Sequence, residues 1–250
     1  MVKKNSNTEH NVVDAKAKEY HLAIEKYHAI AWYSRVEIFS SVVVVSLQVA
    51  TLIKLFENYT GTNVIAMIAT IIFAYIIADF ISGIAHMIGD SNTHYTSIIG
   101  PFIAVFHLHH SRLIYKNKHP IKIYFYESGQ KFWMILYLSA LLIMQSYGAI
   151  NFCSALFLVA IGILSSVAEL SHFWCHNKAQ CNIIVQYLQK YRILLSMKHH
   201  GFHHRNDNTH YAFLNGMTDP LVNLIAYHFC KGYKNHADLH LTIHGDSQNN

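Results

Sequence analysis

The chain has 250 residues, of which 52% are hydrophobic and only 13% charged. Soluble globular domains carry about 25% charge, so this composition points to a membrane. The net charge is +5, but its Lys and Arg residues are scattered beside apolar stretches, which suits an anionic lipid surface and argues against nucleic acid as a partner.

In chain order, residues 1–35 are a polar N-terminal segment that turns amphipathic from Tyr20. They read as an interfacial helix ending at Trp32 and Tyr33, residue types favoured at a bilayer surface. The apolar stretch 36–56 has the length of about 20 residues needed to cross a bilayer, and 64–88 is longer and more apolar. The run 98–106 is too short to cross and is broken at Gly100-Pro101, so it is expected as an interfacial or re-entrant piece. Residues 107–131 read as a polar, basic loop. Two further apolar stretches, 132–147 and 149–170, are joined at Gly148 as a tight hairpin. From Asn177 the chain is polar apart from one patch, 220–229, expected to lie on the membrane. The expected architecture is therefore an all-α integral membrane protein with about four transmembrane helices. Its membrane domain covers 36–230, and 231–250 form a polar C-terminal tail.

Four spans place the N-terminus, the 107–131 loop and everything beyond 170 on one side. Eighteen of the nineteen Lys and Arg residues then lie on that side, with only Lys54 opposite. The positive-inside rule makes that face cytosolic, as a bacterial inner membrane or an endoplasmic reticulum membrane would require.

The chain holds twenty histidines, and they cluster on the same face. Residues 197–211 contain His199-His200 and His203-His204, pairs four residues apart that share helical faces if the segment is helical. The second span closes with His86 and Asp90 at i,i+4, and Asp79 lies two turns earlier. An acid inside a span is costly and functional by default. Asp79 has two readings of equal weight, a helix-packing hydrogen bond or a carboxylate that orients a metal-bound imidazole. The fourth span closes with Glu169, His172 and His176, and the intervening loop holds His107, His109 and His110. Candidate metal ligands are His86, Asp90, His109, His110, His172, His176, His200, His203 and His204, with His199 added as a catalytic candidate. Nine donors exceed the needs of one ion and suit two. Cys153, Cys175, Cys181 and Cys230 form no CxxC pair, and HExxH is absent. Zinc is therefore disfavoured, whereas several imidazoles with carboxylate support suit iron.

The order of these motifs resembles the plasmanylethanolamine desaturase family of membrane lipid desaturases. Its pattern, D-F-x-S-G-x-x-H-W-x-x-D, F-R-E-H-H, H-x-W-x-H and H-H-x-x-H-H with a nearby tyrosine, corresponds here to four stretches. They are Asp79 to Asp90, Phe106 to His110, His172 to His176, and His199 to His204 with Tyr211. Met87 and Leu108 depart from it. The resemblance implies an oxygen-dependent oxidoreductase with two iron ions and O2 as co-substrate. Such an enzyme places a double bond in a lipid alkyl or acyl chain, and takes electrons from a cytochrome b-type or ferredoxin-type donor. The alternatives are a di-iron lipid hydroxylase or oxidase and, more distantly, a histidine-rich metal transporter.

Overall fold

The computed structural model describes residues 6–59, 61–111, 119–126, 131–206 and 209–230, and all regular structure among them is helical. The expected tail 231–250 and parts of the 107–131 loop lie outside these residues.

Three helices are long and apolar enough to cross a membrane: α2 (Ala31–Glu57), α3 (Val64–Ser91) and α7 (Phe152–His176). At 1.5 Å per residue each exceeds the hydrocarbon thickness of about 30 Å. The third expected span is the shorter apolar helix α6 (Phe132–Ser146), which has 15 residues. Much of the outer surface of α2 and α3 is apolar and exposed, including Phe39, Val49, Ile53, Ile65, Ile68 and Ile72. Lipid, not water, suits a surface of that kind.

The two hairpins, α2/α3 and α6/α7, turn by the same device. A glycine takes positive φ, Gly61 at +83° and Gly148 at +65°, a region where side chains are strained. An asparagine then caps the next helix: Asn63 Oδ1 accepts from the Ile65 amide, and Asn151 Oδ1 from that of Ser154. Val44 and Leu55 of α2, Met134, Leu138 and Leu141 of α6, and Ala155, Leu156 and Val159 of α7 form one buried cluster. Helices α3 and α7 pack along each other, and Ala78 and Ala168 meet in a second cluster. Small residues let such helices approach closely in a bilayer, where apolar burial alone does not drive them together.

The remaining helices gather at the C-terminal ends of α3 and α7. Helix α1 (Ser6–Ala29) lies on α4 (Gly100–Ser111), with Tyr20 and Ala23 buried against Tyr95, Ile103 and Ala104. Of the run 98–106 expected as an interfacial or re-entrant piece, Gly100 onward forms the start of α4, buried beneath α1 as far as Val105, whereas Ile98 and Ile99 are exposed. The 107–131 loop is also more ordered than expected: α4 extends to Ser111 and α5 forms over Pro120–Tyr126. The reason is burial, since Ile123 and Tyr124 pack inward and the Tyr124 carbonyl accepts from Lys131 Nζ at 2.6 Å. Helices α8 (Ile183–Lys190), α9 (Met197–His203) and α10 (Asp219–Phe229) complete the structure. The expected patch 220–229 is α10, packed on α3 through Val222 and Ala226.

Candidate metal centre

One face of α3 is a rack for residues 211–218, which run alongside it in the opposite sense. Asp79 accepts the amides of Asn215 (2.8 Å), Gly216 (3.1 Å) and Thr218 (2.9 Å), and the Thr218 hydroxyl at 2.6 Å. One turn on, Ser82 Oγ accepts the Phe213 amide at 2.9 Å. Gly83 permits the contact: a Cβ there would lie 2.9 Å from Val222 and 3.3 Å from the Ala212 backbone. A further turn on, the His86 Nδ1–H donates to the Tyr211 carbonyl at 2.7 Å. Asp79 therefore holds backbone and not an imidazole, the packing role of its two sequence readings.

The tautomer of His86 follows from that bond. With its proton on Nδ1, Nε2 carries a lone pair, yet it faces Asp90 Oδ2 at 3.0 Å. His203 repeats the arrangement, with Nδ1 donating to the Thr209 carbonyl at 2.7 Å and Nε2 lying 3.3 Å from the same Asp90 oxygen. His109 Nδ1 donates to the Phe106 carbonyl at 2.5 Å. The Nε2 atoms of His86, His109 and His203 and the Asp90 Oδ2 are buried without a hydrogen-bond partner. Buried acceptors turned toward one another are costly. A cation between them would relieve that cost, and backbone carbonyls orient metal-bound imidazoles in this way.

His86, His109, His110 and His203 form one group in which the offered ligand atoms all lie within 4.8 Å of one another; His172, His176, His200 and His204 form a second. In the second, Nε2 atoms face Nε2 atoms: His172 to His176 at 3.1 Å, His176 to His200 at 2.9 Å, and His200 to His204 at 2.9 Å. The groups adjoin, with ring centroids 5.5 Å apart for His86–His172 and 4.9 Å for His109–His172. Either group could hold a metal ion. Outside the spanning helices, burial is the largest influence on His109, His200 and His204, and crowding by other imidazoles adds to it. Together they push these groups far below the usual histidine range, against the opposing pull of Asp90 on His109 and His204. Neutral imidazole is the form that binds metals.

Eight of the ten candidate residues make up the two groups, and Asp90 bridges His86, His110 and His203. His199 stands outside both groups: its Nε2 lies 2.6 Å from Asp219 Oδ2, linking α9 to α10. The expected pairing of His200 with His204 holds in the second group, whereas His203 joins the first group without His199. His107 is satisfied by the Tyr95 hydroxyl at 2.8 Å and the Gly89 carbonyl at 3.0 Å, which stitches α4 to α3 just before Asp90. Sequence reasoning did not find the carbonyls of Phe106, Thr209 and Tyr211, because any residue type can supply a carbonyl.

A bundle of apolar helices with two adjoining imidazole groups at their ends defines a histidine-rich integral membrane protein. Residues 75–229 match the lipid desaturase domain family, and the chain belongs to it. It is also 28% identical over 194 residues to the plasmanylethanolamine desaturase of Myxococcus xanthus, an alignment that covers 74% of this chain and 66% of that protein. The chain thus spans just under two thirds of that relative's length. No solved structure matches it.

Proposed function

We propose that this protein is a membrane lipid desaturase with two iron ions. His86, His109, His110 and His203 with Asp90 would hold one, and His172, His176, His200 and His204 the other. The observation that carries this reading is the pair of adjoining four-imidazole groups, one of which turns partnerless Nε2 atoms onto a carboxylate. All eight ring donors are imidazole, a set that suits iron and lacks the thiolates of common structural zinc sites. Iron bound there would supply the oxidising power to take hydrogen from unactivated carbon, which side chains alone lack.

The overall change balances simply. Two hydrogens leave adjacent carbons of a lipid chain, and two electrons and two protons arrive from outside. Dioxygen leaves as two waters. The name of the bacterial relative favours an alkyl chain beside an ether oxygen, giving a vinyl ether of the plasmalogen type, and an acyl chain is the alternative. The functional unit is the membrane domain, residues 36–230. The chain's own groups hold and orient: backbone carbonyls fix three imidazoles, Asp90 offsets cationic charge, and the apolar surround limits water. The basic face proposed as cytosolic would dock an acidic electron carrier of the cytochrome b or ferredoxin type.

The test is purification under anaerobic conditions with iron supplied, elemental analysis, and mass spectrometry of lipids with and without oxygen and a reductant. Iron in both groups and an oxygen-dependent loss of two hydrogens support the reading. Stoichiometric zinc without iron overturns the metal assignment, and a hydroxylated product reassigns the reaction to a hydroxylase.

A further inference from the structure

Beside the first histidine group a cavity of about 390 Å³ opens between α3, α4, α6 and α7, within the roughly 300–1,000 Å³ of small-molecule pockets. Its wall is graded from outside to inside. Ala85, Ile88 and Trp133 line it and are exposed, whereas Ile103, His86 and Phe213 line it and are buried. The exposed members are apolar, and two of them belong to α3, a helix long enough to span a bilayer. An opening walled in this way suits lipid tails. Of the eight grouped histidines only His86 lines the cavity. Phe213 closes the inner end, its ring 4.2 Å from that of His86 and 4.0 Å from that of His172, one from each group.

Most polar side chains of the wall have partners within the protein, the exception being His86 Nε2, which faces the metal-donor cluster. Glu169 lies 3.5 Å from Lys131 Nζ, which also donates to the Tyr124 carbonyl and to Ser41 Oγ. Ser82 Oγ joins the Asp79 carbonyl to the Phe213 amide, Ser165 Oγ donates to the Ile161 carbonyl, and Asn92 Oδ1 accepts from His94. A polar ligand would find few groups to bind, and a hydrocarbon would displace none of these bonds.

Resting on the desaturase reading above, we infer that this cavity takes a single hydrocarbon chain of a membrane lipid. The chain enters sideways from the bilayer between Ala85 and Ile88 of α3 and Trp133 of α6. It meets the metal-donor cluster from the His86 side alone, and Phe213 is the wall it comes to rest on. Entry from the bilayer keeps the chain out of water throughout, and avoids the cost of about 0.8 kcal/mol per CH₂ that exposure would carry.

The experiment is photolabelling of the full chain in phosphatidylcholine vesicles doped with a phospholipid that carries a diazirine midway along one chain, with adducts mapped by peptide mass spectrometry. Adducts are expected on Ile103 and Phe213, alongside adducts on the bilayer-facing Ile68 and Ile72 as an internal reference. Ala85→Trp narrows the mouth and should abolish the inner adducts while leaving the reference intact. Ile88→Trp, at an exposed position, repeats the test if the first variant does not fold. Reference labelling without inner adducts overturns the inference, as does inner labelling unchanged in the folded plug variants. Labelling requires neither metal nor turnover. Inner adducts without any product would sink the desaturase reading alone, and product without inner adducts would sink this one.

Discussion

His86 and Tyr211 are 125 positions apart in sequence, and a 2.7 Å hydrogen bond from the imidazole to the backbone carbonyl joins them. The bond does more than link two segments. It fixes the proton on Nδ1 and so presents Nε2 as a lone pair to Asp90 and His203. The ladder along α3 from Asp79 through Ser82 and Gly83 determines where that carbonyl stands. The spacing of the D-F-x-S-G-x-x-H stretch can thus be read as successive turns of one helix face, each gripping the returning chain.

His86→Ala removes a donor to the first ion and leaves the Tyr211 carbonyl buried without its partner. The variant should remain inserted in the membrane, lose the iron of the first group and lose desaturation. Elemental analysis and lipid mass spectrometry on the same preparation check this. Normal iron content and activity in the variant would mean that α3 only packs.

His199→Ala should behave in the opposite way. The side chain belongs to neither group, so iron content should match the wild type, whereas His200→Ala should lower it. The cost is to stability, because the buried Asp219 loses a half-exposed partner, an effect of about 1 kcal/mol. Thermal unfolding beside metal analysis of both variants separates the two roles. Equal iron loss in both would place His199 in the site.

The apolar runs and the i,i+4 histidines were legible because helical periodicity and bilayer length are properties of a local stretch. His86 with Asp90 and His172 with His176 were placed correctly on shared faces. Which face meets which neighbour is not local, and α9 shows the consequence. His203 and His204 are adjacent in sequence yet serve different groups, because the helix end inserts between the ends of α3 and α7. Asp79 resisted assignment for a related reason. A carboxylate that receives backbone amides and one that receives an imidazole look alike until the returning segment is placed.

Asp79→Asn tests that clamp. Each carboxylate oxygen takes two donors, Oδ1 from Asn215 and Gly216 and Oδ2 from the amide and hydroxyl of Thr218. At Oδ1 an NH₂ group would face two amide donors, and at Oδ2 one amide donor and a hydroxyl that must turn to accept. Destabilisation of about 3 kcal/mol or more is expected, with weaker iron binding as residues 211–218 loosen. A variant as stable as the parent, measured by denaturant unfolding in detergent, would show that the loop is held by other contacts.

Helix α6 is short for a membrane span. Fifteen residues measure about 22 Å, short of a full hydrocarbon core of about 30 Å. Its N-terminal neighbour Lys131 meets Glu169 of α7, and from Phe152 to Glu169 α7 also rises only about 27 Å. Both helices therefore reach the same level from the Gly148 turn, and the last turns of α7, carrying His172 and His176, stand beyond it. Crossing then needs only local thinning of the bilayer, at fractions of a kcal/mol per Å. Cysteines placed at Tyr59 and Tyr147, both exposed at hairpin turns, should react with an impermeant maleimide from one side of the membrane. A cysteine at the exposed Lys198 should react from the other. Labelling of Tyr147→Cys together with Lys198→Cys from one side would show that the α6/α7 hairpin does not cross, and would remove the third and fourth spans.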